Sequence, residues 1–498
     1  MKRKHTSWAA LCGAGAILSF AAACSFSDLL QVENPAEIPV GSLDDPKLLQ
    51  VQLNGVVFVF QDAYTEPVIE WSNFLTDEVL TGLNWEDYAR VNQRIASYLE
   101  GPTNQIFTEL SRSLRMAHDL AERIRGWDAA DTTAKDFRPA LARSLVFAGY
   151  SATVLAENMC QAVISPNASN PSGTVLSQLE TFQAALPYLT EALTVAQSVP
   201  AAAVRDSLSN LARTGLARAY LGLGDWANAA TYAGQVTPTF KWWLDWVDVI
   251  GVRNPLQGVS QGGNFTHGIH PSFTGVHPSF DGTGFVFTND NVIAPQTDPR
   301  IQHAVTDLTG HNALTRLYKL MQGLRYSGYT GQTIAPASAA CPGCTGTPAA
   351  SLPLIAEFGT NIVLADYVEA QHQYHEALAM QDTVANGAAV LAFVNARRAV
   401  GNQPAVTLSG RALITELRKQ RARDLFMGGF RLPDLRRWTR FDPGNGPFAA
   451  GSYFPTGAHP NASWGQYGSW TCFPIPLQEY DGNSNLQRPA DPSVPPGI

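Results

Sequence analysis

Carboxylates, imidazoles, thiols and aromatic rings are the side chains of this chain whose spacing could support chemistry. Asp77-Glu78 offers two adjacent acids. Glycoside hydrolysis needs two carboxylates fixed roughly 5–10 Å apart across a bond, and nothing local fixes a second one here. His372-Gln373-Tyr374-His375-Glu376 places two imidazoles on one helical face. The order is neither HExxH nor HxxEH and supplies no third ligand, so packing or solvated histidines are the reading. His267, His270 and His277 stand among Gly and Pro and read as loop residues. No GxSxG elbow, phosphate loop or dinucleotide fingerprint occurs. The chain therefore reads as a non-enzyme with no metal and no cofactor.

Binding is what remains. Sugar rings stack their C–H faces on Trp and Tyr while their hydroxyls seek Asn, Asp, Glu and Arg. By that composition the candidates are Asn73, Asp77, Glu78, Asn84 and Trp85 early in the chain, and Trp243, Trp246 and Tyr326 centrally. A Trp also serves core packing, and composition does not separate the two uses.

The elements that would position these residues are mainly helical. Helical apolar spacing runs through 46–64, 103–126, 136–163 and 177–198, then 311–323, 357–381, 386–400 and 409–427. Over 203–236, Leu216, Ala217, Tyr220, Gly224 and Ala229 stand at the offsets of a tetratricopeptide unit, with Gly224-Asp225 as the turn and 187–196 as a preceding helix. From 238 to 300 Gly, Pro, Asn, His, Phe and Trp dominate without a helical period; this is too aromatic for disorder and reads as a packed, irregular excursion. The 498 residues with 45% apolar and 15% charged content allow a large core and exclude wholesale disorder. A formal charge of −8 argues against a nucleic-acid partner.

The N-terminus reads as an address. Lys2, Arg3 and Lys4 precede an apolar run, Trp8 to Ala23, which ends in Ala21-Ala22-Ala23-Cys24. That is a secretory signal whose small residues lead into a Cys suited to acylation. Acyl chains on Cys24 would anchor the chain to a membrane. Ser25, rather than Asp, favours the outer membrane. With Cys12 removed and Cys24 lipidated, four thiols remain. Cys341-Pro342-Gly343-Cys344 reads as a short loop-stapling disulfide, since neither a redox setting nor a second zinc-ligand pair is visible. Cys160 and Cys472 would then be left for each other, although their separation in sequence says nothing about the distance between them. The organisation is then signal peptide 1–23, tether 24–45, helical part 46–237 with repeat-like pairs, irregular part 238–356, and a C-terminal helical part with closing loops 357–498.

The C-terminal third carries a more specific pattern. The run from Leu417 through Arg421, Asp424, Gly428, Gly429 and Arg431, followed by Asp434-Leu435-Arg436-Arg437-Trp438, resembles the SusD/RagB family of outer-membrane nutrient-binding lipoproteins. Phe473-Pro474-Ile475-Pro476 with Glu479, Asn483 and Leu486 is similar to its closing motif. Asn395-Ala396-Arg397-Arg398 with Gly401, Asp298-Pro299-Arg300, and the stretch from Cys24 through Asp28-Leu29-Leu30 to Pro35 match further segments in the same order. Gln420, Asp424 and Gly428 depart from the family's acids, and Gln487 is followed by Arg488, which marks a distant branch. Read physically, Arg421 and Asp424 are close enough to pair, Gly428-Gly429 stops a helix, and Asp434, Arg436 and Arg437 tie the following loop back.

The resemblance implies a mainly α fold, tetratricopeptide-like helix pairs with a large loop-rich part. It implies capture of oligosaccharide or peptide at the cell surface, with ligand sites in an early loop region and in the central excursion. It also implies delivery to a TonB-dependent SusC/RagA-like barrel. Repeats alone leave a second reading open, an envelope scaffold that binds only proteins.

Overall fold

The computed structural model describes residues 40–81, 85–130, 135–165, 172–256, 267–274, 276–277, 285–286, 298–301, 303–305, 318–320, 324–327, 358–460, 464–489 and 491. The chain divides into two compact units, 1–49 and 50–498. In the first, two 3-10 turns, Val40–Asp44 and Pro46–Leu48, are described, and the Asp45 carboxylate caps the second by accepting the Lys47 amide at 2.9 Å.

The second unit is mainly helical. Helix α1 (Leu49–Ala63) passes through a π-helical turn, Tyr64–Val68, into α2 (Ile69–Phe74). Strand β1 (Val79–Thr81) and α3 (Glu86–Asn92) follow. Then come α4 (Gly101–Ala130), α5 (Arg138–Asn158), the hairpin strands β2 (Gln161–Ile164) and β3 (Thr174–Ser177), α6 (Gln178–Gln197), α7 (Ala202–Leu223) and α8 (Trp226–Ala233). The C-terminal helices are α10 (Tyr367–Gln381), α11 (Gly387–Val400), α12 (Gly410–Asp424), α13 (Arg431–Phe441) and α14 (Leu477–Gly482), with the one-turn α9 (Pro271–Thr274) between the two groups.

Helices α4, α5, α6, α7, α8, α10, α11 and α12 form a row in which each packs on the next. Helices one place removed also touch, α5 with α7, α7 with α10 and α10 with α12. This is the stacking of repeat architectures, where a helix buries its apolar face only against its neighbours. Local sequence sets the joints. Ser177 and Glu180 close a capping box at the start of α6. Gly224, at φ +75°, ends α7 in the left-handed conformation, and Asp225 then caps α8 through the Asn228 amide. Gly222 lets α7 approach α6: a Cβ there would lie 2.4 Å from the Phe182 ring. The α7–α8–α10 seam is filled by Leu221, Ala229, Ala230 and Ala377.

Several boundaries differ from the periodicity. Residues 136–163 are not one helix: Met159 turns extended, and the chain then enters β2. Backbone bonds from Cys160 to Phe473 and from Phe473 to Asn158 hold that break, and a disulfide joins Cys160 to Cys472 with Cα atoms 5.0 Å apart. The 357–381 segment begins as strand β10 (Ile362–Asp366), and Asp366 caps α10 through the Glu369 amide. Within 311–323 the described residues Tyr318–Leu320 form strand β9 rather than helix. The stretch after Gly429 is helix α13, not a loop.

The irregular part supplies short antiparallel strands. β5 (His267–Ile269) pairs with β1, β9 and β8 (His303–Val305) complete a four-stranded sheet in the order β1-β5-β9-β8, and β6 (Val276–His277) pairs with β7 (Phe285–Val286). β4 (Lys241–Leu244) pairs with β10 in a separate two-stranded sheet. Cys341 and Cys344 lie outside the described residues. Among the described residues no helix is long and apolar enough to cross a membrane.

Candidate ligand-binding site

Most residues singled out by composition belong to the interior. Asn73, Asp77, Glu78, Trp246 and Tyr326 are buried. Asp77 receives both arms of Arg431, at 2.6 and 2.8 Å. Glu78 accepts the Met427 amide at 2.9 Å, Tyr326 donates its hydroxyl to the Met427 carbonyl at 2.7 Å, and the Asn73 amide lies 3.2 Å from the Met427 sulfur. These residues fasten the early chain to the turn after α12, where Met427 takes φ +54° and Gly429 φ +79°. Burial pushes the Glu78 carboxyl up to about 8. Trp246 packs edge-on against Phe58, with centroids 6.3 Å apart. None of the five presents a face to a ligand, because each is consumed by a core contact. Asn84 lies outside the described residues.

The motif residues of the C-terminal third extend this interior ion lattice. Arg421 pairs with Asp434 at 2.7 Å rather than with Asp424. Arg437 binds both Glu376, at 2.8 Å, and Asp434, at 2.8 Å. Trp438 donates its indole N–H to Glu376 at 2.7 Å. Arg436 donates to the carbonyls of Ala156, Glu157 and Met159, satisfying the C-terminal end of α5. Asp424 holds Arg300 at 3.0 Å, Arg397 at 2.6 Å and His372 at 2.7 Å. Burial alone would raise the Asp424 carboxyl; Arg300, His372 and Arg397 outweigh it and hold the group far below the usual carboxylate range. Burial lowers His372 to about 4, so it is a neutral packing imidazole. His375 stacks on Phe393 at 4.1 Å, and His270 bonds Ser272 and Tyr467, both at 2.9 Å. The side chains of His267 and His277 lie outside the described residues. Among the described residues no three His, Cys, Asp or Glu side chains are grouped to hold a metal ion.

Trp85 is different. It stands at the N-cap position of α3 without a side-chain capping bond, and the residue is 64% exposed. Tyr88, one turn on, meets it edge-to-face at 5.9 Å, and Trp71 of α2 lies 4.5 Å behind Tyr88. Polar groups fix this stack. The Tyr88 hydroxyl donates to Glu70 at 3.0 Å, and the Trp71 indole N–H donates to Gln105 of α4 at 3.3 Å. Beneath the ledge Asp62, Glu66 and Glu70 recur along the π-turned helix. Burial first, then Glu70, Asp62 and Glu109, push the Glu66 carboxyl up to about 7. An exposed indole that meets a second ring edge-on offers a face on which a sugar ring can stack. Tyr88, Trp71, Glu70 and Gln105 were not among the sequence candidates. The three-residue spacing of Trp85 and Tyr88 was the available signal.

Trp243 is half-buried on β4, with the Lys241 ammonium 5.0 Å over its ring.

No family model matches the chain, and no curated protein matches it in sequence. Solved structures do match. A SusD superfamily protein from Bacteroides vulgatus superposes with a TM-score of 0.60 at 17% identity, covering 88% of this chain and 97% of that one. The fold is SusD-like. A SusD-like carbohydrate binding protein from the same species matches with a TM-score of 0.55 at 16% identity, over 78% of this chain and 82% of that one. Another, from Bacteroides fragilis, matches at 0.57 and 14% identity, over 89% and 99%.

Proposed function

We propose that this chain is a SusD/RagB-type surface lipoprotein that captures oligosaccharide and passes it to a TonB-dependent SusC/RagA-like barrel. The reading rests on the Trp85 ledge, an exposed indole backed by Tyr88 and Trp71 on a SusD-like fold. Similar structures described as carbohydrate binding support glycan over peptide as the ligand. Capture needs no chemical step: the ledge supplies stacking area, and neighbouring polar groups set orientation. The anchor in this reading is a lipidated Cys24.

Two measurements test it. The tagged chain is extracted from its native membrane in mild detergent, and a stoichiometric barrel of the TonB-dependent class is expected to co-purify. Recovery of periplasmic proteins in its place would transfer the reading to a protein-binding scaffold. Neutral oligosaccharides are then titrated against the wild type and Trp85→Ala, with a loss of affinity of about tenfold expected in the variant.

A further inference from the structure

A second concave surface lies at the opposite end of the α1–α2 segment from the ledge. It is a groove of about 520 Å³ bounded by the start of α1, the first turns of α5 and α7, and β4. That volume falls within the roughly 300–1,000 Å³ of small-molecule sites. Leu53 lines it and Glu70 belongs to the ledge; seventeen residues of helix between them place the two on the order of 25 Å apart.

The groove holds an arginine without an acid. Arg143 lies with its guanidinium 5.5 Å over the ring of Trp242, and its Nε is buried with no hydrogen-bond partner. No carboxylate stands within ion-pair distance of it among the described residues. Asp136, on the rim, is held by Arg138 at 2.7 Å. Asp245, the acid whose field reaches Arg143, accepts the Asn361 amide at 3.0 Å. In the interior Arg218, Arg300, Arg421, Arg431 and Arg437 each face at least one carboxylate, and Arg94 and Arg436, which face none, are satisfied by backbone carbonyls; the Arg143 Nε has neither. In a chain of net charge −8, a cation kept unpaired in a groove has a use for an incoming anion.

The rest of the lining narrows the ligand. Trp242 is half-buried, with Phe147 edge-on at 6.4 Å and the Arg143 guanidinium over one face of its ring, so a sugar ring would take its other face. Ser207 supplies a hydroxyl and Gln50, whose amide N–H donates to Asn54 at 2.7 Å, its carbonyl oxygen, while Ala140 and Ala203 keep the walls low. A planar fork that matches a carboxylate, beside an indole that matches a ring face, suits an acid carried on a sugar.

We infer that the Arg143–Trp242 groove binds a hexuronate, with its carboxylate on the Arg143 guanidinium and its ring against the Trp242 indole. This site does not depend on the Trp85 ledge.

The test titrates the detergent-extracted full chain with glucuronate and galacturonate, alongside glucose, galactose and N-acetyl-leucine, by calorimetry and indole fluorescence. The acidic sugars are expected to bind at least about tenfold tighter than the neutral ones. Arg143→Gln should erase that preference while keeping neutral-oligosaccharide binding at the ledge. Arg143→Lys, which keeps the charge but not the fork, should retain only part of it. Equal affinity for acidic and neutral hexoses overturns the site. So does unchanged uronate affinity in Arg143→Gln. N-acetyl-leucine binding as tightly as the uronates overturns the sugar assignment. Should Arg143→Gln not fold, the ligand comparison on the wild type and Arg143→Lys decides alone. Loss of ledge binding with uronate binding intact would count against the proposed function only.

Discussion

The ion lattice around α12 and α13 and the aromatic ledge at α3 use charge and rings in opposite ways. In the lattice, Arg431 meets Asp77, and Arg437 meets Glu376 and Asp434, all with little access to water. Each charge there is costly to bury and is tolerated because its partner and hydrogen bonds are supplied at fixed geometry. At the ledge, Trp85 leaves most of its ring in water and spends no core contact on its outer face. One region uses its polar groups to fix the fold. The other leaves an aromatic side chain largely exposed among the described residues. The motif dense in Arg, Asp and Trp therefore serves the interior of the fold.

The contrast can be broken most severely at Asp77. Asp77→Ala strands the Arg431 guanidinium in the core and should cost about 3–5 kcal/mol of unfolding free energy by urea titration. A cost below about 1 kcal/mol would mean that the lattice does not hold the early chain to α13.

The next effect is in pH. His372 titrates at about 4 in the fold against an unfolded value of 6.5, so the unfolded chain binds more protons between those values. The stability present above pH 6.5 is lost as pH falls toward 4, by up to about 3 kcal/mol for this group. His372→Gln should flatten the wild-type curve over that window.

Glu66, beneath the ledge, carries the opposite sign. Its value is raised from 4.5 to about 7, so the folded chain holds the extra proton and stability falls as pH rises through that range. Glu66→Gln should gain about 1 kcal/mol at pH 8 and nothing at pH 4. The two variants measured together show whether interior and ledge respond to protons in opposite directions.

The smallest effect sharpens the comparison most. Trp85→Ala should change the unfolding free energy by under about 0.5 kcal/mol, as expected for an exposed residue outside the core. A larger loss would place Trp85 among the packing aromatics.

Much of the fold was legible because its signals are local. The Gly224-Asp225 turn and the helical apolar spacing act over a few residues, and so survive reading in one dimension. The spacing of His372 and His375 suits no metal motif and left them as packing or solvated residues; the structure packs both. Asp77, Glu78 and Tyr326 were misplaced as ligand groups. An acid or phenol suited to bind a sugar has the same composition as one suited to bind Arg431 or the Met427 backbone.

By itself the sequence determined a mainly helical chain with a tetratricopeptide-like turn, a net acidic surface and motifs in SusD-like order. Tertiary structure decided which carboxylate each Arg meets, and which Trp faces water. The Asp77–Arg431 pair spans 354 residues, and no local rule reaches that far. Burial is likewise a property of neighbours: Trp85 and Trp246 are the same residue type, and only the packing around each separates an exposed ledge from a core ring.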